Sequence, residues 1–100
     1  MMVNHYVFWN FNDSLTKEER DEAGNKIKEL LEGVGKIVPG VVSLEVLINQ
    51  LESSNRDVAL ISRFESVEAL NAYQVHPEHV KAGSYVGSVT TNRTCFDFEE

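Results

Sequence analysis

Most of the side chains able to do chemistry fall in one short run, Tyr73-Gln-Val-His76-Pro-Glu-His79, with His5 and Cys95 far from it along the chain. Imidazole, with an unperturbed pKa of about 6.5, exchanges protons near neutrality. A phenol can donate a hydrogen bond to oxygen on which negative charge develops. Such groups, if gathered in one place, could run proton-transfer chemistry or hold the polar end of a small ligand. A metal site from His76, Glu78 and His79 is disfavoured, because Pro77 disturbs the helical geometry and no clear third ligand adjoins the two histidines. Nothing in the sequence places a base beside Cys95, which reads as strand packing and not as a nucleophile. Neither a glycine-rich phosphate loop of the expected spacing nor a zinc pattern occurs, so no cofactor and no metal are expected.

The whole chain bounds what those residues could serve. One hundred residues suit a single domain, 1–100, with 42% hydrophobic and 25% charged residues as in ordinary globular proteins. Nine Lys and Arg against sixteen Asp and Glu give a net charge of −7, which argues against nucleic acid and anionic membranes as partners. With one cysteine there is no internal disulfide, and the opening MMVNHYVFWNF lacks a cationic start and the roughly 20 apolar residues of a membrane span. A cytoplasmic location is expected.

The elements that must position the reactive groups follow from periodicity. Residues 3 to 11, VNHYVFWNF, are β-branched and aromatic almost throughout and read as a strand buried on both faces. Thr16-Lys-Glu-Glu19 forms a capping box. The helix it opens carries Ala23, Ile27, Leu30, Leu31 and Val34 on one side, and Gly33 and Gly35 are expected to stop it. After the Pro39-Gly40 turn, Val42, Leu44, Val46 and Ile48 alternate with Ser43, Glu45 and Asn49 as a second strand. Residues 58 to 64 make a third strand, antiparallel to it. Ser66 caps a short helix with Val67, Leu70 and Tyr73 as its apolar positions, and Pro77 breaks or restarts it. Residues 90 to 98 close as a final strand.

This β-α-β-β-α-β order is the ferredoxin-like α+β plan, a four-stranded antiparallel sheet with its helices on one face. His5, Val7, Trp9 and Phe11 would then point one way from the first strand, and Tyr6 and Phe8 the other. The uncovered face is therefore aromatic. Burying it is worth roughly 25 cal/mol per Å² of apolar area, which predicts a homodimer joined through that open sheet face.

Several stretches carry a resemblance: Val3-Asn-His5-Tyr-Val-Phe, Pro39-Gly40, Phe64-Glu-Ser-Val-Glu-Ala-Leu70 and Tyr73-Gln-Val-His76-Pro-Glu-His79-Val. From about residue 3 to Asp97 the chain resembles the stress-responsive α/β-barrel family. The resemblance implies a dimeric α/β barrel with a cavity between sheet and helices in each subunit. It is also distantly similar to the family's polyketide (olivetolic acid) cyclase branch, which closes an aromatic ring without metal or organic cofactor. Carried over by motif, that similarity implies His79 as base, Tyr73 as its assistant and His5 as a substrate-binding group. A further tyrosine of that branch is replaced here by Ile27.

Three readings of function follow. The first is a small-molecule binding protein whose ligand, apolar or aromatic, meets His5, Val7, Trp9, Ile27, Leu60, Tyr73, His76 and His79, with Val7, Ile27 and Leu60 as apolar walls. The second is a cofactor-independent cyclase or lyase acting on a polyketide-like carbonyl compound. In the third, a purely structural or interaction dimer, Trp9 fills the pocket against small Ala23 and Gly24, His79 satisfies a carbonyl, and His76-Pro77 only punctuates two helices.

Overall fold

Alternation along the first strand, β1 (Val3–Phe11), sets the layers of the molecule: Val3, His5, Val7, Trp9 and Phe11 are buried, while Tyr6, Phe8 and Asn10 between them are partly exposed. The computed structural model describes residues 1–48 and 50–100; Asn49, expected in the second strand, lies outside the described residues. After β1 come α1 (Lys17–Ile37), β2 (Val41–Leu47), β3 (Val58–Phe64), α2 (Val67–Val75), α3 (Pro77–Val89) and β4 (Thr90–Glu99). The strands form one antiparallel sheet in the order β2-β3-β1-β4. This is the ferredoxin-like plan, with the helices on one face.

Local chemistry explains the boundaries. Both halves of the α1 capping box form: Thr16 Oγ1 accepts from the Glu19 amide at 3.1 Å, and Glu19 Oε1 accepts from the Thr16 amide at 2.8 Å. Contrary to expectation, Gly33 and Gly35 do not stop α1, which runs on to Ile37 and ends where Val38 turns extended before Pro39. Gly35 serves packing instead: a Cβ there would stand 3.0 Å from Leu44 Cβ, so the missing side chain lets β2 approach the helix. At the Pro39-Gly40 turn Gly40 has φ +89°, the left-handed region open to glycine. His76 separates α2 from α3 at an extended φ of −62° and ψ of 135°, because the residue before a proline avoids helical geometry.

Ala23, Ile27, Leu31 and Val34 of α1 join Val7, Trp9, Val46, Val58, Leu60, Phe64, Leu70, Tyr73, Ala82 and Val86 in a single core between helices and sheet. Val67, expected on the buried side of α2, is instead exposed. Tyr6, Phe8, Ile61, Phe96 and Phe98 occupy the opposite, uncovered face. There Tyr6 meets Phe98 edge-on at 5.3 Å, and Phe96 is 64% exposed. The first strand is thus buried on one face only within a single chain. No helix among the described residues is long and apolar enough to cross a membrane.

Candidate functional site

Tyr73, in the last turn of α2, points its ring into the core because it shares a helix face with Leu70, and none of it is exposed. Its ring lies between Phe64 of β3 (centroids 4.9 Å apart) and His79 of α3 (4.4 Å), with His5 of β1 at 6.5 Å. The fold therefore gathers His5, Tyr73 and His79 from three elements. Among the described residues the Tyr73 hydroxyl has no hydrogen-bond partner. Burial pushes its phenol up to about 12, so at neutral pH it keeps its proton and remains a donor.

His79 stands at the α2–α3 junction, half-buried. Its Nδ1 lies 3.1 Å from the Gln74 carbonyl, which can only accept, so Nδ1 carries the proton. The bond also satisfies a carbonyl that a helix end leaves unpartnered. With Nδ1 committed, Nε2 holds the free lone pair. Removal from water holds the His79 pKa below its ordinary value, and His5, Arg93 and His76 press in the same direction. The ring is accordingly neutral at pH 7 and able to accept a proton or a hydrogen bond through Nε2.

His5 is 2% exposed, and its Nδ1 sits 2.5 Å from Asp97 Oδ1 on β4. Register makes the pair: in the antiparallel ladder His5 faces Asp97 and Val7 faces Cys95. Cys95 Sγ comes within 3.7 Å of His5 Nδ1 and 3.4 Å of Asp97 Oδ1. Two expectations for Cys95 fail here. It is exposed instead of packed, and a base does stand beside it. Even so, partial desolvation and the neighbouring Asp97 push its thiol up, which disfavours the nucleophilic thiolate. Asp97 and Phe64 are the members of the group that sequence reasoning missed, and Cys95, weighed there alone, was not placed beside His5. The available signal was the two-residue spacing of Cys95 and Asp97, which puts both on one face of a strand.

The other expected ligand-binding residues have separate places. His76 caps α3, its Nδ1 accepting from the Glu78 amide at 3.1 Å. Val7 and Leu60 face each other across β1 and β3 and, like Ile27, are fully buried in the core. Trp9 lies four residues beyond His5, about 13 Å along the strand, and opposite Val58. It does not fill the space at Tyr73. Nor does it compensate Gly24, since the ring facing that glycine is Phe11, whose Cζ would stand 3.3 Å from a Cβ there. A cleft of about 950 Å³ opens at the other end of the sheet, below the β2–β3 connection, walled by residues such as Phe8, Lys28, Arg56 and Thr94. His5, Tyr73 and His79 are not among its lining residues.

Residues 3–100 match the family model described as the Stress responsive A/B Barrel Domain. In three dimensions the chain is similar to a dimeric protein of unknown function with a ferredoxin-like fold from Bacteroides fragilis: 30% identity, TM-score 0.92, covering 99% of this chain and 96% of that one. It is also similar to a Dabb family protein from Mesorhizobium loti, at 17% identity and TM-score 0.75 over 99% and 96% of the two chains. Hydroxynitrile lyase from Passiflora edulis shares the fold at 15% identity and TM-score 0.73, over 97% and 91%. No curated protein matches the sequence.

Proposed function

The chain belongs to the stress responsive A/B barrel domain family, and on that premise we propose that it binds a small, largely apolar, carbonyl-bearing ligand at His5, Tyr73 and His79, as a homodimer. The buried, unpartnered Tyr73 hydroxyl carries this reading. An unsatisfied buried hydroxyl costs about 1–3 kcal/mol, and a ligand oxygen accepting from it would offset that cost. Beside it, His79 Nε2 offers an acceptor to the same ligand. Tyr73 is enclosed, so the ligand enters by displacing side chains on the half-buried His79 side. The aromatic face of Tyr6, Phe8, Phe96 and Phe98 supports pairing of two sheets, as does the dimeric description of the Bacteroides fragilis relative. A single cysteine and an acidic composition suit a cytoplasmic protein.

A neutral imidazole beside a protonated phenol also favours a second reading, cofactor-independent proton transfer on such a ligand, with His79 as base, Tyr73 hydrogen-bonding the developing enolate and His5 orienting it. The Passiflora lyase adds only fold analogy. Thermal shift against aromatic and polyketide-like carbonyl compounds, followed by titration calorimetry, tests the binding. A hit at 100 times its dissociation constant stabilises by ~2.7 kcal/mol, and Tyr73→Phe should weaken it at least tenfold. A hit that binds Tyr73→Phe equally well would show that the ligand lies elsewhere. For catalysis, His79→Ala should lower turnover ~10²–10⁴-fold.

A further inference from the structure

Among the described residues, one group of three side chains offers metal-binding atoms within 4.8 Å of one another: His5, Cys95 and Asp97. We propose that these three residues form a binding site for a zinc-class divalent cation, with Nδ1, Sγ and a carboxylate oxygen as ligands and the fourth position open to water. An N, S, O set of this kind suits zinc, whereas magnesium and calcium select oxygen alone.

The distances are close to those of a loaded site. Tetrahedral zinc with bonds of about 2.0–2.3 Å holds its ligand atoms about 3.3–3.6 Å apart. Here Sγ lies 3.7 Å from Nδ1 and 3.4 Å from Oδ1, so two edges of the triangle are already set. The third, Nδ1 to Oδ1, is a 2.5 Å hydrogen bond that must open by roughly 0.8 Å to reach that spacing. Asp97 can supply this movement, because its side chain is 41% exposed while His5 is held in the core. Ligation sends the thiol proton to solvent and leaves His5 a neutral imidazole with its proton on Nε2 and the Nδ1 lone pair on the metal, and no electron is transferred.

Two features give the site a scaffold. Ser62 Oγ donates to the His5 carbonyl at 2.6 Å in the buried centre of the sheet, fixing the strand from which the imidazole projects. Cys95 and Asp97 are one strand repeat apart on β4, hydrogen-bonded to that same strand. Arg93 is the opposing influence: it is exposed, and its positive charge near the thiol disfavours a bound cation. The site shares His5 with the ligand reading but uses neither Tyr73 nor His79, so a variant at Tyr73 separates the two.

Cobalt(II) titration of the full chain provides the test. Wild type should bind one cobalt per chain, with visible d–d bands of a tetrahedral ion and a near-ultraviolet thiolate charge-transfer band, both abolished by zinc. Cys95→Ser, at an exposed position that leaves the core intact, should lose the charge-transfer band. Asp97→Asn should weaken binding at least tenfold, Arg93→Gln should tighten it, and Tyr73→Phe should leave the spectrum unchanged. Zinc at a hundred times its dissociation constant should raise the wild-type thermal midpoint by roughly 10 °C or more, but not that of Cys95→Ser. Absence of the charge-transfer band, its persistence in Cys95→Ser, or one cobalt shared between two chains would overturn the site.

Discussion

Replacing Tyr73 by phenylalanine should make this protein more stable while weakening any ligand it binds. The change removes one oxygen and leaves the ring between Phe64 and His79. That oxygen is buried without a partner among the described residues, so its removal relieves a desolvation penalty of about 1–3 kcal/mol. The pH dependence supplies a second, independent measure. In the folded chain the phenol is pushed up to about 12 by burial, against about 10 when unfolded. Because the folded value is the higher one, the contribution of Tyr73 is fully present below pH 10 and is lost as pH rises towards 12. Two pKa units correspond to about 2.7 kcal/mol. Urea unfolding of both proteins at one fixed chain concentration, at pH 7 and in steps from pH 9 to 12, should show Tyr73→Phe ahead by about 1–3 kcal/mol at pH 7. The gap should widen by a further 2–3 kcal/mol in the alkaline range. The comparison cancels the other groups that titrate there. A variant that is less stable at pH 7 would mean that the hydroxyl makes a good hydrogen bond in the folded protein. Parallel curves above pH 10 would mean that the phenol is not desolvated.

The imidazole of His79, followed by NMR, should titrate below 6.5, chiefly because it is removed from water. Since this folded value is depressed, its contribution to stability is present above about pH 6.5 and is lost as pH falls through the folded value; a midpoint above 6.5 would refute the neutral-base assignment. Phe96→Asp on the uncovered sheet face should turn dimer into monomer in sedimentation runs at micromolar concentration. By two-fold symmetry the substitution acts twice, for about 3–6 kcal/mol in all, or roughly two to four decades in dissociation constant. An unchanged dimer would place the interface elsewhere.

Local signals were enough for the elements. The capping box at Thr16 and Glu19, the Pro39-Gly40 turn and the break at His76-Pro77 lie where the sequence puts them, because each depends on backbone geometry and hydrogen bonds within a few residues. The two-residue period of β1 likewise determined which side chains face the helices and which form the aromatic open face. Gly33 and Gly35 do not mark the end of α1, since whether a helix continues through glycine depends on what packs against it, here Leu44 against Gly35. Strand register was beyond local reading altogether. On β4, Asn92 and Arg93 together oppose the single residue Trp9, and Asn92 takes φ 58° to make that bulge. A one-residue slip would turn Cys95 and Asp97 to the other face and take both away from His5. Motif resemblance brought His5, Tyr73 and His79 to notice one by one. Their proximity, the orphaned hydroxyl between them and the cysteine and aspartate beside His5 depend on contacts between β1, β3, β4 and the α2–α3 junction, and only the tertiary structure decides those.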